Sequence, residues 1–337
     1  MRSARLDTPG QPLSLVERTP IRPRRGQLVL AVEACAVCRT DLQLCSGDLP
    51  ARRLPIVPGH QAVGRVAAIG SGVSGWKVGD RAGTIWLASA CGRCRACRVG
   101  RENLCSRARF TGWDRDGGFA DQVAVRAEFA VRLDLEADAT DLAPLLCGGV
   151  IGYRALRLSG IQPGGRLGLY GFGASAYLAL QVALAWGCRV HVATRSAGER
   201  RRATALGAVS TGGYDAPPSR PLDAAVTFAP AGAVVIAALR ALAPGGTVAI
   251  NAIHLDRIPA FDYALLWEER VLRSVANVTR RDAAEFLELA RRHGFRTSVR
   301  RYPLAGANDA LRDLAGGQIG AAAAVLETST GRKMPSL

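Results

Sequence analysis

Lysine is almost missing from this chain of 337 residues. Only Lys77 and Lys333 stand among its 44 basic residues, and the others are arginine. Acids are also few, 28 in all, so the formal net charge is +16. Aromatic residues make up 6%, and no basic stripe with interleaved aromatics is present. The positive charge therefore reads as a scattered, solvated arginine surface and not as a nucleic-acid footprint. Such a surface also suits a phosphate-rich cofactor. No apolar run reaches the roughly 18 residues that a membrane span needs. The start, Met1-Arg-Ser-Ala-Arg, lacks the apolar core of a signal peptide. No repeat of 20–50 residues is seen. The expectation is a cytoplasmic protein with no membrane and no nucleic-acid partner. At 48% hydrophobic, with 38 glycines, the chain is globular and long enough for two domains.

Cysteine, by contrast, is plentiful: residues 35, 38, 45, 91, 94, 97, 105, 147 and 188. In a cytoplasmic setting this points to metal or catalysis before disulfides. Cys91-Gly-Arg-Cys94-Arg-Ala-Cys97, followed by Cys105, can close a tetrahedral thiolate cage, with Gly92 and Gly100 allowing its tight turns. A redox cluster, unpaired core cysteines or an iron–sulfur site are the other readings. Zinc is favoured, and four thiolates leave no open position, so that metal is structural.

The pattern of elements changes along the chain. Up to about residue 130, short strands alternate with glycine turns: an apolar strand over 27–33 running into a polar turn, the Pro-braced loop Leu54–Gln61, and a strand over 62–70. Together they suggest a small irregular barrel. Phe110–Phe119 reads as a flexible loop whose aromatics can line a pocket or simply pack. Leu142–Leu156 reads as a helix broken at Gly148–Gly149. Strands over 166–170, 188–193, 223–228, 246–251 and 271–277 then alternate with helices over 174–186, 198–206 and 231–242. Repeated βα units predict a doubly wound parallel sheet. The tail holds a helix (281–293), a strand (299–302), a helix (307–314) and a strand (321–327), expected to fold back on the first domain. Residues after about 328 read as disordered.

Gly171-Phe-Gly173-Ala174-Ser175-Ala176 sits between the first of these strands and its helix and fits the dinucleotide pattern, with Ala in the third position. The end of the second strand lacks the acid that would bind the adenosine ribose hydroxyls of NAD. It reads Thr194-Arg195-Ser196 instead. Two hydroxyls and a guanidinium suit a 2′-phosphate, so NADP(H) is expected over NAD(H).

Three further residues stand at junctions. Cys38 lies in Cys38-Arg39-Thr40-Asp41, His60 follows the Pro58-Gly59 turn, and Cys147 stands where the β-rich part meets the βα units. Two thiolates and an imidazole make a zinc site with an open fourth position. With these motifs assembled, the chain resembles the zinc-containing medium-chain alcohol dehydrogenases over about residues 26–327. The resemblance implies a Rossmann domain at 148–277. It also implies a mainly β, GroES-like catalytic domain at 1–147 plus 278–337, carrying a structural zinc lobe at 88–108. It implies two zinc ions per chain: Cys38, His60 and Cys147 would hold the catalytic one, and Cys91, Cys94, Cys97 and Cys105 the structural one. Asp41 would brace His60, Thr40 would bond the substrate oxygen, and Arg39 would approach the cofactor phosphates. A homodimer or homotetramer is the usual assembly. Trp86, Leu87, Trp113 and Ile151 would line the substrate pocket.

Three positions depart from the family. Gln43 replaces a relay histidine, Gln61 replaces a glutamate after the zinc histidine, and Ile151 replaces a threonine. The first reading is an NADP-dependent reductase of aldehydes or ketones, and in reverse a dehydrogenase of alcohols. A reductase of imines or enoyl groups, and a catalytically silent NADPH-binding protein, are the alternatives.

Overall fold

The computed structural model describes residues 1–252 and 255–328. The expected disorder beyond residue 328 concerns positions outside the described residues. The chain forms two compact units: Met1–Cys147 with Asn277–Leu287 and the stretch from Thr297 onward, and Gly148–Ala276 with Glu288–Arg296. The second boundary thus falls inside the helix Arg280–His293, and residues 288–296 side with the dinucleotide unit.

The first unit is built on a seven-stranded sheet. Its path runs Val299–Pro303, Ala323–Glu327, Gln27–Val37, Gln61–Ile69, Arg81–Gly83 and Val131–Arg132, with Gln122–Arg126 also paired to Gln27–Val37. All pairings but the first are antiparallel. Gln27–Val37 pairs with three strands, so its residues are buried on both faces: Leu28, Leu30, Val32, Ala34 and Cys35 are all inaccessible. This strand runs four residues past its expected end. The tail strand Ala323–Glu327 returns to it, with Ala324 opposite Val37.

The second unit is a six-stranded parallel sheet in the order Ser210–Gly212, Arg189–Ala193, Arg166–Tyr170, Leu222–Thr227, Leu242–Ile250, Val271–Ser274. The strand order reverses beside Arg166–Tyr170, so that strand ends at the topological switch point where doubly wound sheets bind ligands. Buried faces on both sides follow from helices packing on each side of a parallel sheet: Val190, Val192, Leu167, Leu169, Ala225 and Val226 are all inaccessible.

Candidate functional site

Register explains how Cys38 and His60 meet. Cys35 lies opposite Ala62 and Ala36 opposite Gln61 in the antiparallel pair Gln27–Val37 and Gln61–Ile69. The residue just past the end of one strand therefore comes beside the residue just before the start of the other. Beyond Val37 the chain does not make the expected polar turn: it enters a helix, Arg39–Ser46, with Cys38 as its N-cap (φ −115°, ψ 159°). The acid needed for a capping box stands three residues on, and the Cys38 backbone N–H donates to Asp41 Oδ2 at 2.8 Å. The motif that looked like a string of functional groups is also a helix start.

Asp41 serves both ligands. Its Oδ1 accepts from the Gly59 backbone N–H at 3.0 Å and lies 3.5 Å from His60 Nδ1. The firmer bonds go to the backbone around the ligands, and the imidazole contact is the long one. A proton on Nδ1 facing a carboxylate leaves the Nε2 lone pair for a metal. Thr84 Oγ1 donates to the His60 carbonyl (2.9 Å) and accepts from the Ala62 N–H (3.1 Å). Nothing in the sequence around Thr84 marks this role.

The Pro-braced loop is confined from its other side. Gly59 has φ +93°, and a Cβ there would lie 2.4 Å from the ring of Phe119. The stretch Gly117–Phe119, read as flexible, is instead hydrogen-bonded along Val57–Gly59 through Gly117 N–H to Val57 O, Gly118 N–H to Gly59 O and Phe119 N–H to Pro58 O. Phe119 is fully buried. The glycine pair lets that segment lie flat against the histidine loop. A Gly-Gly-aromatic run beside a predicted strand was the available signal.

Cys147 stands between a 3-10 turn, Ala143–Leu146, and the helix Gly148–Ser159. The break in the helical pattern thus falls at the cysteine itself, and Gly148 and Gly149 are helical. The ligand atoms of Cys38, His60 and Cys147 all lie within 4.8 Å of one another. Zinc–ligand bonds of about 2.0–2.3 Å in a tetrahedron put ligand atoms about 3.3–3.8 Å apart. His60 Nε2 is buried and has no hydrogen-bond partner among the described residues. That is an expensive arrangement unless a cation meets it. The donor set fits zinc. The local electrostatics agree. A hydrogen bond from Cys147 and the neighbouring His60 hold the Cys38 thiol well below its ordinary range, and the same contact plus burial push Cys147 up. Burial pushes His60 down, but Asp41 and Cys38 outweigh it and raise the imidazole to about 10. The pocket is made for positive charge.

The ligand atoms of Cys91, Cys94, Cys97 and Cys105 likewise lie within 4.8 Å of one another. Cys91–Cys97 and Cys94–Cys97 sulfur distances are 3.9 and 3.5 Å, near the tetrahedral thiolate edge. The Cys94 N–H points at Cys91 Sγ and the Arg107 N–H at Cys105 Sγ, both at 3.4 Å. Backbone donors from Arg93 and Cys94 lower Cys91 to about 6. Gly92 and Gly100 have φ of +72° and +69°. This cluster can hold a structural zinc ion.

In the second unit Gly171 has φ +91°, and a Cβ would lie 2.7 Å from the Ala229 nitrogen. Gly173 caps the helix Ala174–Ala185, and a Cβ there would meet nothing within 4 Å. That leaves room for a ligand to reach the backbone. Ala174 and Ser175 are half-buried in the first turn, and Ala176 is fully buried. Thr194 is buried and Arg195 exposed. Ser196 is the N-cap of Ala197–Leu206, accepting from the Glu199 N–H at 3.2 Å, which leaves its own O–H free to donate. Arg200, overlooked in the sequence, holds the Thr194 and Arg195 carbonyls at 2.7 and 3.2 Å.

Of the expected pocket residues, Trp86 meets His60 edge-on at 4.7 Å between ring centroids and Trp113 at 6.1 Å. Phe110 joins them, 5.8 Å from Trp86 and 5.7 Å from Trp113. Leu87 is fully buried in the strand Leu87–Ser89, which makes it a core residue. Ile151 lies on the helix Gly148–Ser159 of the second unit. Thr40 is buried with Oγ1 3.8 Å from Cys38 Sγ, and Arg39 is exposed at the helix start.

Residues 24–135 match the alcohol dehydrogenase GroES-like domain. The chain is 48% identical over 321 residues to "Probable alcohol dehydrogenase AdhA" of Mycobacterium tuberculosis, covering 94% of this chain and 93% of that protein. Its fold is similar to a cinnamyl alcohol dehydrogenase of Sorghum bicolor, with a TM-score of 0.89 and 26% identity, covering 100% and 99% of the two chains. It is also similar to a dehydrogenase of Sinorhizobium meliloti solved with NADP, with a TM-score of 0.84 and 27% identity, covering 97% and 98%. A GroES-like unit, a Rossmann unit in the dinucleotide-binding strand order, two metal-ligand clusters and full-length likeness to such enzymes converge on one assignment: the chain belongs to the zinc-containing medium-chain alcohol dehydrogenases.

Proposed function

We propose that this alcohol dehydrogenase is zinc-dependent and moves a hydride between NADP(H) and an alcohol, aldehyde or ketone. The observation that carries the reading is the buried, partnerless Nε2 of His60 with the Cys38 and Cys147 sulfurs gathered within 4.8 Å. Zinc held by Cys38, His60 and Cys147 supplies Lewis acidity to a substrate oxygen, and the nicotinamide supplies or accepts the hydride. The residues do the rest. Asp41 keeps the His60 proton on Nδ1. The buried Thr40 hydroxyl, next to Cys38, takes or returns the substrate proton. Trp86 and Trp113 shield that oxygen from bulk water. Gln43 cannot carry the proton onward, so it leaves by water or a cofactor hydroxyl.

The preference for NADP(H) is supported by Thr194, Arg195 and Ser196 in place of an acid. Four cysteines hold the second zinc ion. The edge strand Val271–Ser274 with exposed Tyr263, Trp267 and Val271 supports a homodimer or larger homo-oligomer. The test is metal analysis with a screen of NADPH and NADH oxidation against aldehydes, ketones, imines and enoyl compounds. About two zinc ions per chain are expected, with turnover of aldehydes or ketones and NADPH preferred. Turnover of imines or enoyl compounds alone would move the assignment to the second enzyme reading. No turnover of any acceptor would leave the silent NADPH-binding reading.

A further inference from the structure

The last ligand of the four-cysteine cluster, Cys105, ends the 3-10 turn Glu102–Leu104, and its backbone N–H donates to the Glu102 carbonyl at 3.1 Å. The Glu102 side chain is only 10% exposed, and its Oε1 accepts from both the backbone N–H and the Nε–H of Arg280, at 3.1 and 3.0 Å. Arg280 is the first residue of the helix Arg280–His293. Its guanidinium lies 4.7 Å from the Phe129 ring centre and donates to the Glu128 carbonyl at 3.4 Å. This helix has a cap of its own. The Thr279 N–H donates to Asp282 Oδ2 at 2.8 Å, and the Asp282 N–H donates to Thr279 Oγ1 at 3.1 Å. A local capping box therefore already starts the helix. Glu102 brings a second carboxylate to the same positive end, from 178 residues away in the sequence. What it adds is a tie to the cluster.

The same helix leads toward the cofactor loop. Its start, up to Leu287, belongs to the first unit, and its remainder, from Glu288, belongs to the second. The chain leaving it is pinned. The Phe295 N–H donates to the Ala290 carbonyl at 3.2 Å. Gln181 then holds Arg296 twice, its Oε1 accepting from the Arg296 N–H at 2.8 Å and its Nε2 donating to the Arg296 carbonyl at 2.9 Å. Gln181 lies on the helix Ala174–Ala185, whose N-cap is Gly173 of the dinucleotide loop. Each step is a hydrogen bond or continuous chain, from Cys105 through Glu102, Arg280, Arg296 and Gln181 to the helix that the glycine loop opens.

We propose that Glu102 is a positioning residue for the cofactor: it couples the filled four-cysteine cluster to the glycine loop, so that the filled cluster tightens NADP(H) binding. This rests on the readings of the cluster as a zinc site and of the Gly171 loop as the cofactor site. Four thiolates stay packed only around a cation, and that packing fixes the turn Glu102–Leu104 between the last two of them. Coupling of binding is reciprocal, so NADP(H) in turn firms the hold of Glu102 on the helix start.

The test titrates NADPH into the zinc-loaded enzyme by calorimetry, in the parent, Glu102→Gln, Gln181→Ala and the double variant. Glu102→Gln keeps the shape and an acceptor but removes the charge. Each single variant should raise Kd about 5-fold, the lower end of the usual coupling between sites. The KM for NADPH should rise with it while kcat is kept. Glu102 and Gln181 share no hydrogen-bond partner. Independent effects would therefore multiply to about 25-fold, whereas on one path the double variant should stay at about 5-fold. Metal analysis should find both zinc ions in every variant. Hydrogen exchange gives a readout without turnover: saturating NADPH should slow exchange in the first turn of Arg280–His293 in the parent and not in Glu102→Gln. Effects that multiply, or a Glu102→Gln enzyme that matches the parent in Kd and exchange, overturn the proposal. Loss of the second zinc ion from Glu102→Gln shows a purely structural role and overturns it too. A parent that binds no NADPH sinks the cofactor reading and this proposal with it, and a parent that binds NADPH but holds a single zinc ion sinks it together with the cluster reading.

Discussion

At the residue scale, one carboxylate holds the candidate catalytic centre together. Asp41 bonds the backbone at Cys38 and Gly59 and faces His60 Nδ1. Asp41→Asn keeps the shape but removes the charge and one acceptor. Zinc affinity measured by chelator competition should fall about 10–100-fold, the usual cost of losing such a partner, while the second zinc ion stays. Gln61 is a different kind of residue. Its side-chain amide donates to the Ala36 carbonyl at 3.3 Å, so it is anchored to the strand before Cys38. With two thiolates on a divalent ion the centre is neutral, and a glutamate there would add negative charge. Gln61→Glu is expected to move the alkaline shift of the pH–rate profile to higher pH, and an unmoved profile would show that the exchange is electrostatically silent. At the cofactor end, Arg195→Asp should lower the ratio of NADPH to NADH efficiency by about 10-fold or more, because a guanidinium–phosphate pair becomes a repulsion.

At the element scale, the fit between the histidine loop and the Gly117–Phe119 segment is tight enough to be tested by one methyl group. Gly59→Ala would force a Cβ into the Phe119 ring at a positive φ. It should cost about 1–3 kcal/mol in urea unfolding and weaken zinc binding with it. Part of this element was legible in advance: Pro58-Gly59-His60 reads as a rigid turn. The helix Arg39–Ser46 was not, because Cys is an unusual N-cap and the polar residues Arg39-Thr40-Asp41 resemble a turn. Only the bond from Cys38 N–H to Asp41 reveals the cap. The Gly148–Gly149 pair misled in the opposite direction. Glycines in a helix normally signal a break, but a Cβ at Gly148 would lie 3.3 Å from Ser175 Oγ and one at Gly152 3.1 Å from the Ser175 carbonyl oxygen, so small residues suit the approach of the helix Ala174–Ala185.

At the scale of the whole molecule, the first unit is closed by contacts far apart in sequence. Arg2 binds Asp121 through its backbone N–H at 2.7 Å and its guanidinium at 2.8 and 3.2 Å. Burial pushes the Asp121 carboxyl up, but Arg2 outweighs it and holds the pKa below its ordinary value. Because the folded value lies below the unfolded one, this contribution is full above the unfolded pKa and is lost as pH falls through the folded one. Asp121→Asn should therefore lower the thermal midpoint at neutral pH and make almost no difference in strong acid.

Composition and spacing by themselves determined that this chain has two domains, a βα dinucleotide-binding half and a four-cysteine set capable of holding metal. Those features are local: a glycine loop, a three-residue cysteine spacing and an alternation of strands and helices are all written within short windows. What only the tertiary structure decided is which distant residues share a wall. Strand register placed His60 beside Cys38, packing set Phe119 against Gly59, and Leu87 went into the core while Phe110 joined the tryptophans. Asp114 belongs here too: it is covered, and it accepts hydrogen bonds from Arg52 and Arg109. From the sequence those charges looked like a scattered surface, since burial of a single carboxylate is a property of the fold and leaves no mark on composition.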